Sequence, residues 1–397
     1  MNGCSTSRPW SESNDQVAKT ELSFIVKTHD ISTARGLAAL RTLFVADALA
    51  MPVHWYYNRH DIEKAFPGGI TKLEAPPSYH PSSIMALHST TTGGRGAQET
   101  AGAMREIVGD VILKGKRRYW GQPNQHYHQQ MKAGENTLNA HCARVVMRAM
   151  IAAGGRYHQE IFLNDYIGFM TSDAPMHPDT YAESYHRAFF ANLERGRPKE
   201  QCGGVTHDTP SVGGLVTIAP IAIAERLAGS PLHEVVKLCR AHLFLTHPDE
   251  TLAAVCDAYV ELIDALLFRN EHEQPADFLA GTAQKTLGLD LPSLSAKARS
   301  DSDVVGRRFS TACYISGSWP SVLYLAFKYI DLPRQALLVN ANLGGDNVHR
   351  GAVLGTLLGL AYGLPVNEFF DQLVDRQSID AEIRTLLKVP AQSGDSL

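Results

Sequence analysis

The sequence predicts an all-α protein, and three observations support this. Apolar residues recur at the spacing of one helix face in several long segments, alternating strand patterns are nearly absent, and the clearest helical segments stop at glycine or proline. The chain has 397 residues, of which 44% are hydrophobic and 20% charged. A chain of this size and composition can bury a large core. We therefore expect a single large orthogonal helical bundle.

The organisation along the chain follows from where this periodicity begins. Residues 1–31 are polar and lack a sustained period, so we expect a flexible N-terminal tail with a short β-prone patch at residues 22–26. Residues 32–390 are expected to form the helical domain. Its first apolar stripe leads toward Asp47 and consists of Leu37, Leu40, Leu43 and Phe44.

Three further helices are predicted from the same spacing. One starts at Leu138 and ends before Gly154-Gly155, which suit a helix C-terminus. The clearest covers residues 248–268, with Thr246 and Asp249 as a capping pair at its start. The last covers residues 353–362 and stops at Gly363-Leu364-Pro365.

Three segments are predicted to be loops. Residues 55–98 and 196–214 are long and rich in aromatic residues, Pro, Gly or His, and loops of that length in a compact domain are often functional. Residues 290–304 are predicted to be an ordinary surface loop.

Composition excludes several classes of protein. The 37 basic and 41 acidic residues give a net charge of −4, which argues against a nucleic-acid partner bound through a basic face. No uninterrupted apolar run of 18 residues suggests a membrane span, and the N-terminus lacks the apolar region of a signal peptide. The six cysteines form no CxxC pair, as expected for reduced thiols in a cytoplasmic protein.

Four segments carry polar residues where a purely structural helix would have none. The last three contain a glycine turn before a helix start, where free backbone N–H groups favour phosphate and acidic side chains can meet at a cation. Acidic and amide side chains also occur at such positions as simple helix caps. The four segments are residues 45–55, 133–138, 211–220 and 340–350.

Together, and in this order, the segments resemble the ADP-ribosylglycohydrolase family. Asp47 to His54 occupies the position of the family pattern G-D-A-L-G-x-P-x-E, residues 134–137 that of T-D-D-T, and residues 211–220 that of S-N-G-x-L-M-R-I-x-P. Its T-H-x-D helix start corresponds to Thr246-His247-Pro248-Asp249, and N-x-G-G-D-T-D-T to residues 342–349 followed by Tyr362-Gly363. The resemblance covers about residues 32–370.

The resemblance implies an all-helical fold and hydrolysis of an N- or O-glycosidic bond of ADP-ribose or a related nucleotide-sugar conjugate. The partner would be an ADP-ribosylated protein or a small ADP-ribose-containing molecule. Two Mg²⁺ or Mn²⁺ ions would be held by carboxylates from three of these family patterns, namely those that correspond to the segments ending at His54, Thr137 and His349. Ser211, Gly213 and Gly214 would face the diphosphate, which Arg95 could contact from its glycine-flanked position.

The sequence departs from the family at the metal positions. His54 stands where the family has glutamate, and T-D-D-T has become Gly134-Glu135-Asn136-Thr137. In the last element Asp346 is retained, whereas Val348 and His349 replace the second aspartate and the final threonine. These residues cannot supply the carboxylates of an ordinary dinuclear magnesium site.

Three hypotheses follow from these departures. In the first, His54, Glu135, Asn136, Asp346 and His349 form an atypical metal site that favours Mn²⁺, Fe²⁺ or Zn²⁺ over Mg²⁺. In the second, the metal is lost, and Glu135 or Asp346 acts as a general base with a histidine assisting. In the third, the protein is a non-catalytic nucleotide-binding or structural relative, as J1 crystallins within the family suggest. In either enzyme, Glu135 and Asp346 are the acidic pair expected to be catalytic.

Two histidines outside these elements have their own interpretation. His126 and His128 are spaced as in a metal-binding pair, but their position after Gly121-Gln122-Pro123 favours a polar turn. The sequence does not define an oligomeric state.

Overall fold

The computed structural model describes residues 12–92, 105–363 and 366–389, with side chains from Asp30 onward. Across these ranges it contains sixteen α-helices and no β-strand, which confirms the all-α prediction. The helices are α1 (Glu12–Ala50), α2 (Arg59–Ala65), α3 (Leu138–Ala152), α4 (Gln159–Thr171), α5 (Ser184–Glu194), α6 (Ile218–Leu227), α7 (Leu232–Phe244), α8 (Glu250–Phe268), α9 (Pro275–Leu287), α10 (Leu291–Lys297), α11 (Asp301–Val304), α12 (Ile315–Lys328), α13 (Pro333–Leu343), α14 (Asn347–Tyr362), α15 (Asn367–Phe370) and α16 (Arg376–Leu387).

Helices α1 and α14 form the centre of the bundle and pack along each other more extensively than any other pair. Glycines at every fourth position of α14 make this close approach possible. A Cβ atom on Gly359 would lie 2.5 Å from Cα of Ala39, and one on Gly355 would lie 2.7 Å from the carbonyl oxygen of Thr42. This packing places the end of α1 beside the start of α14, where the candidate site lies.

The segment from Asp30 to Val53 is long and apolar enough to cross a membrane by length and composition alone. In the structure 89% of its most apolar window is buried within the protein. Such burial is that of a core helix, because a membrane-spanning helix would present its apolar side chains to lipid.

The structure confirms the helices predicted from Leu138 and near residues 248–268. Helix α8 begins at Glu250, and its cap is Asp249, whose carboxylate accepts a hydrogen bond from the backbone N–H of Leu252 at 2.8 Å. Thr246 takes no part in this cap; its hydroxyl lies 2.8 Å from Nδ1 of His247.

Several predicted boundaries were wrong. Helix α1 already begins at Glu12, so residues 12–31 are helical and include the patch predicted to be β-prone. The predicted surface loop at residues 290–304 contains α10 and α11. Asp290 caps α10, and the next residues lead into a helix too short to show a full apolar period. Two more helices, α15 and α16, follow the one expected to be last.

Candidate metal centre

The turn between α13 and α14 fixes the backbone of the site. Gly344 and Gly345 both have positive φ, and a Cβ on Gly345 would lie 2.1 Å from the carbonyl oxygen of Thr311. The N–H of Gly345 donates to the carbonyl of Tyr56, and the N–H of Trp55 donates to the carbonyl of Gly345, both at 2.7 Å. Two glycines are therefore required to hold the start of α14 against the loop that follows α1.

This arrangement brings together three of the predicted ligands: His54, Asp346 and His349. Their ligand atoms all lie within 4.8 Å of one another, and no other such group occurs among the residues that the structure describes. Oδ1 of Asp346 lies 2.9 Å from Nε2 of His54 and 2.8 Å from Nδ1 of His349. All three side chains are buried.

Behind His54, a second histidine and a carboxylate continue the contacts. Nδ1 of His54 lies 2.7 Å from Nε2 of His128, and Nδ1 of His128 lies 2.8 Å from Oδ1 of Asp179. Asp179 is fixed in turn by the backbone N–H groups of Leu138 and Tyr181, which donate to its two oxygens. A carboxylate that orients a histidine in this way is typical of the residues that support metal ligands.

Three contacts link Asp179, His128, His54 and Asp346 in series. In each contact both atoms can accept a hydrogen bond, so a proton or another cation has to lie between them. Burial keeps the pKa of His54 well below its usual value, so its ring is neutral. Burial alone would raise the pKa of both carboxyls, but the neighbouring histidines hold the pKa of each below its usual range. With one proton on each ring, the two histidines supply only two protons for the three contacts. One further cation, either a third proton or a metal ion, is therefore required.

His349 lies between two carboxylates. Its Nε2 is 3.3 Å from Oε1 of Glu183 and 2.6 Å from Nδ2 of Asn139. Although burial opposes protonation, Asp346 and Glu183 together raise the pKa of His349 to about 10. In the absence of metal this ring therefore carries the positive charge of the site.

The donor atoms fit a bound ion. Oδ2 of Asp346 and Oε2 of Glu183 are buried and have no hydrogen-bond partner, which is costly for a carboxylate unless a cation or ligand is near. Nδ1 of His349 also lacks a hydrogen bond of acceptable angle, despite its 2.8 Å distance from Asp346. Two ligands on one ion, at 2.0–2.2 Å each, lie roughly 3 Å apart, as Oδ1 of Asp346 does from Nε2 of His54 and from Nδ1 of His349.

Glu135 and Asn136 do not join this group. The carboxylate of Glu135 accepts a hydrogen bond from the backbone N–H of Lys132 at 2.7 Å, within its own turn. The amide of Asn136 donates to the carboxylate of Asp47 and to the carbonyl of Phe44. The prediction that both converge on the metal is therefore wrong, because their side chains stabilise the turn before α3 and the end of α1.

Asp47 has a structural part in the same region. Besides Asn136, its carboxylate accepts hydrogen bonds from the backbone N–H and the hydroxyl of Thr137 at 2.9 and 2.6 Å. Burial raises its pKa even though these donors oppose the shift. Asp47 therefore joins α1 to the start of α3 and does not face the site.

The glycine turn at residues 211–214 is divided between the pocket and the core. Ser211 lines the pocket, but its hydroxyl accepts the N–H of Gly213, a donor that a phosphate would otherwise use. A Cβ on Gly213 would lie 3.5 Å from Nδ1 of His349, whereas one on Gly214 would meet Leu243 and His247. Gly214 thus faces the core. Arg95 lies outside the described residues.

Three residues of the site were missed by the sequence-based prediction: His128, Asp179 and Glu183. His128 was attributed to a polar turn, and the structure places its ring fully buried against His54. Asp179 and Glu183 lie just before α5 in a segment without helical period, where an acidic residue gives no signal of its own. The spacing His-Tyr-His was the one available indication.

Two of the three ligands, Asp346 and His349, line a pocket of about 260 Å³, and His54 lies behind them. Glu183, Asp208, Asp346 and His349 contribute polar atoms to its wall. Aromatic side chains make up much of the remainder. The candidate centre is therefore accessible to a small molecule from this side, while His128 and Asp179 stay behind it.

Buried neutral histidines make the fold sensitive to acid. Burial lowers the pKa of His80 and His177 to about 4, and that of His242 and His247 to about 3. In the unfolded chain they titrate near 6.5, so below that pH the unfolded state binds more protons. Each should lower the free energy of unfolding by roughly 2 kcal/mol at pH 5.

We expect urea denaturation at successive pH values to show stability falling steeply from about pH 6.5 toward 4. His349 has the opposite sign, since its raised pKa contributes stability that is complete below about 6.5 and is lost toward pH 10. The maximum for the metal-free protein should then lie near neutral pH. A free energy of unfolding that is unchanged between pH 7 and 5 would contradict the burial of these rings as neutral species.

Comparisons with known proteins agree with this architecture. A family model described as ADP-ribosylglycohydrolase matches residues 28–394. A solved structure described as an ADP-ribosylglycohydrolase-related protein complex superimposes with a TM-score of 0.55 at 15% sequence identity, covering 90% of this chain and 99% of that chain. At that identity the likeness shows the fold alone. No curated protein matches the chain.

Proposed function

The chain belongs to the ADP-ribosylglycohydrolase family, and from that premise we propose that it hydrolyses a glycosidic bond with the help of one metal ion. The substrate would be an ADP-ribose conjugate or a related nucleotide-sugar compound, as the family suggests. The observation that carries the proposal is the convergence of His54, Asp346 and His349 on one point beside a pocket.

The ion would be held by Nε2 of His54, a carboxylate oxygen of Asp346 and Nδ1 of His349. Two imidazoles and one carboxylate favour a transition ion such as Mn²⁺, Fe²⁺ or Zn²⁺ over Mg²⁺, which prefers oxygen ligands. A divalent ion bound there would act as a Lewis acid and would assist ionisation of a water molecule. Three protein ligands leave room for that water and for the substrate.

The residues around the ion have separate tasks in this proposal. Asp179 and His128 keep the Nδ1 proton of His54 directed away from the ion, so that Nε2 is free to bind. The carboxylates of Asp346 and Glu183 offset the positive charge that develops on the sugar as the glycosidic bond breaks. Glu183 lines the pocket and has a buried oxygen without a hydrogen-bond partner, so we assign it to accept a proton from the attacking water.

Replacing Glu183 by glutamine tests this assignment. The amide oxygen can still accept a hydrogen bond from His349, so the metal should be retained, but the side chain can no longer accept a proton. We expect kcat for release of ADP-ribose from an ADP-ribosylated peptide by the manganese-loaded protein to fall by about 10²–10⁴-fold.

Glu135→Gln is the matched control, because it removes a carboxylate of the same kind outside the site and should leave hydrolysis unchanged. If both variants behave like the parent protein, Glu183 is not the base. If the metal-loaded parent protein hydrolyses no glycosidic substrate, the non-catalytic hypothesis replaces the proposal.

A further inference from the structure

We infer that the pocket beside this centre receives a planar heteroaromatic cation, and that this cation is the leaving group of an N-glycoside. The inference rests on the proposed glycosidic hydrolysis and narrows its substrate class. It depends on the rings that line the pocket, on the charges of its wall and on the chemistry that these groups can support.

Six tryptophan and tyrosine rings form a large part of the pocket wall. Trp55 packs edge-to-face against Tyr127 and Tyr181, with ring centroids 4.6 and 5.2 Å apart. Since a dry cavity of about 150 Å³ admits a benzene molecule, a pocket of 260 Å³ accommodates one six-membered ring with part of a sugar. The six rings are those of Trp55, Tyr57, Tyr127, Tyr181, Tyr185 and Tyr314.

The charges on the wall are negative. Glu183, Asp208 and Asp346 line the pocket, and none of its described lining residues is a lysine or an arginine. Two buried arginines lie nearby without lining the pocket, although Arg187 interacts electrostatically with Glu183 and Asp208 and Arg350 with Asp346. The guanidinium of Arg187 donates to the carbonyl of Ser89 and lies over the ring of Trp120, and that of Arg350 donates to Asn340 and to the carbonyl of Gly344.

Such a wall discriminates by charge. Aromatic faces attract a delocalised cation, and carboxylates add to this attraction where water is excluded. Glu183 is more than nine-tenths buried and lines the pocket, and its Oε2 has no hydrogen-bond partner, with Nε2 of His186 3.7 Å away. An anionic group placed in the same space would meet three carboxylates, and the positive charge of His349, or of a metal ion bound to it, already lies between Asp346 and Glu183.

The backbone at Trp55 supports a binding role for this ring. Its φ is +61°, in the left-handed region that a bulky residue rarely adopts. The hydrogen bond from the N–H of Trp55 to the carbonyl of Gly345 stabilises this backbone conformation. In that conformation the indole stacks on the imidazole of His54, with ring centroids 3.6 Å apart. Strain of this kind persists where the surroundings enforce it, commonly at ligand sites.

A cationic leaving group also suits the chemistry of the wall. In an N-glycosyl pyridinium, water forms a bond to the anomeric carbon while the carbon–nitrogen bond breaks. The electron pair of that bond goes to the ring nitrogen, whose positive charge disappears, and Glu183 takes up the proton of the water. The products are the free sugar and a neutral heteroarene, so no acid has to protonate the leaving group. Burial raises the pKa of Tyr127 and Tyr181, which makes both poor proton donors.

Calorimetric titration of the metal-loaded full chain tests the charge preference without any hydrolysis. The probes are 1-methylpyridinium, neutral toluene and benzenesulfonate, which share a ring size, differ in charge and are all weak metal ligands. We expect 1-methylpyridinium to bind about tenfold more tightly than either of the others. Equal or tighter binding of benzenesulfonate would overturn the inference.

Variants of two acidic residues locate the binding. Asp208→Asn removes a carboxylate from the pocket wall and should weaken 1-methylpyridinium binding about fivefold or more. Glu200→Gln is the matched control, because Glu200 is exposed in the same segment and does not line the pocket. Unchanged affinity in Asp208→Asn, with the fold intact by thermal unfolding, would place the cation elsewhere and overturn the inference.

Hydrolysis assays separate this inference from the proposed function. We expect the metal-loaded protein to release pyridine from a pyridinium riboside, and comparison with the corresponding pyridinium dinucleotide distinguishes a phosphate-free from a phosphorylated sugar. Hydrolysis of an ADP-ribosylated peptide without binding of any pyridinium would overturn the inference and leave the proposed function standing. Binding of 1-methylpyridinium without hydrolysis of any glycoside would support the ligand class and overturn the proposed function.

Discussion

Replacing Asp346 by asparagine should abolish metal binding and reduce hydrolysis by at least about 10³-fold. Oδ1 of Asp346 is the atom that His54 and His349 both approach, at 2.9 and 2.8 Å, so its negative charge holds the two rings on one point. Asparagine keeps the size of the side chain but presents a weaker ligand without charge. Without that charge, His349 also loses the largest contribution that raises its pKa.

The measurements are metal content per chain after dialysis and the rate of ADP-ribose release under manganese loading. Thermal unfolding of the variant is needed beside them, since removing one member of a buried charged pair can destabilise a fold by roughly 3–5 kcal/mol. Glu135→Gln serves again as the control. An Asp346→Asn protein that is folded and retains both metal and activity would exclude Asp346 from the centre.

Gly345→Ala should destabilise the protein by more than about 3 kcal/mol and remove the metal site with it. The φ of Gly345 is +66°, and its new Cβ would lie 2.1 Å from the carbonyl oxygen and 2.4 Å from Cβ of Thr311. Because the hydrogen bonds with Trp55 and Tyr56 hold this turn on both sides, the backbone cannot shift without moving His54.

Gly229→Ala separates the steric effect from backbone strain alone. Gly229 has a φ of +87°, and a Cβ there would meet nothing within 4 Å. Its cost should be about 1 kcal/mol, the strain of an L-residue in the left-handed region. Urea denaturation compares the two variants, and a Gly345→Ala protein as stable as Gly229→Ala would show that the turn is not as constrained as described.

Much of the fold could be predicted from local patterns. Helix α8 shows its apolar face at regular spacing over nineteen residues and carries its own cap at Asp249. Helices α10 and α11 have seven and four residues, too few for an apolar period to be recognised. The serine and charged residues of this segment predicted a loop instead. The beginning of α1 was missed because residues 12–21 are mostly polar and the continuous apolar run at residues 22–26 fits a strand as well as a helix.

Some residues of the candidate site could likewise be predicted from the sequence, and others could not. His54, Asp346 and His349 were predicted because each occupies a position of a recognisable family pattern. Glu135 also occupies such a position, but the local hydrogen bond to Lys132 directs its carboxylate into its own turn. Asp179 and Glu183 reach the site only through the packing of distant segments, so no spacing along the chain could indicate them, whereas the His-Tyr-His spacing was the one indication for His128.

The proton count along Asp179–His128–His54–Asp346 is what most sharply favours an ion over a structural cluster of histidines. Three contacts share two ring protons, and an orphaned oxygen of Asp346 lies beside them. A third proton would satisfy the contacts but would leave Nδ1 of His349 without hydrogen-bond geometry toward Asp346. A metal ion would bind Nε2 of His54, Nδ1 of His349 and the carboxylate of Asp346 together, and so would account for both contacts of that carboxylate.

Anomalous diffraction from crystals of the manganese- or zinc-loaded protein, recorded on both sides of the absorption edge of the metal, tests this claim directly. We expect one peak per chain, about 2.0–2.3 Å from Nε2 of His54, Nδ1 of His349 and an oxygen of Asp346. No peak at this position, or a peak coordinated by Glu135 and not by the two histidines, would contradict the account of the centre.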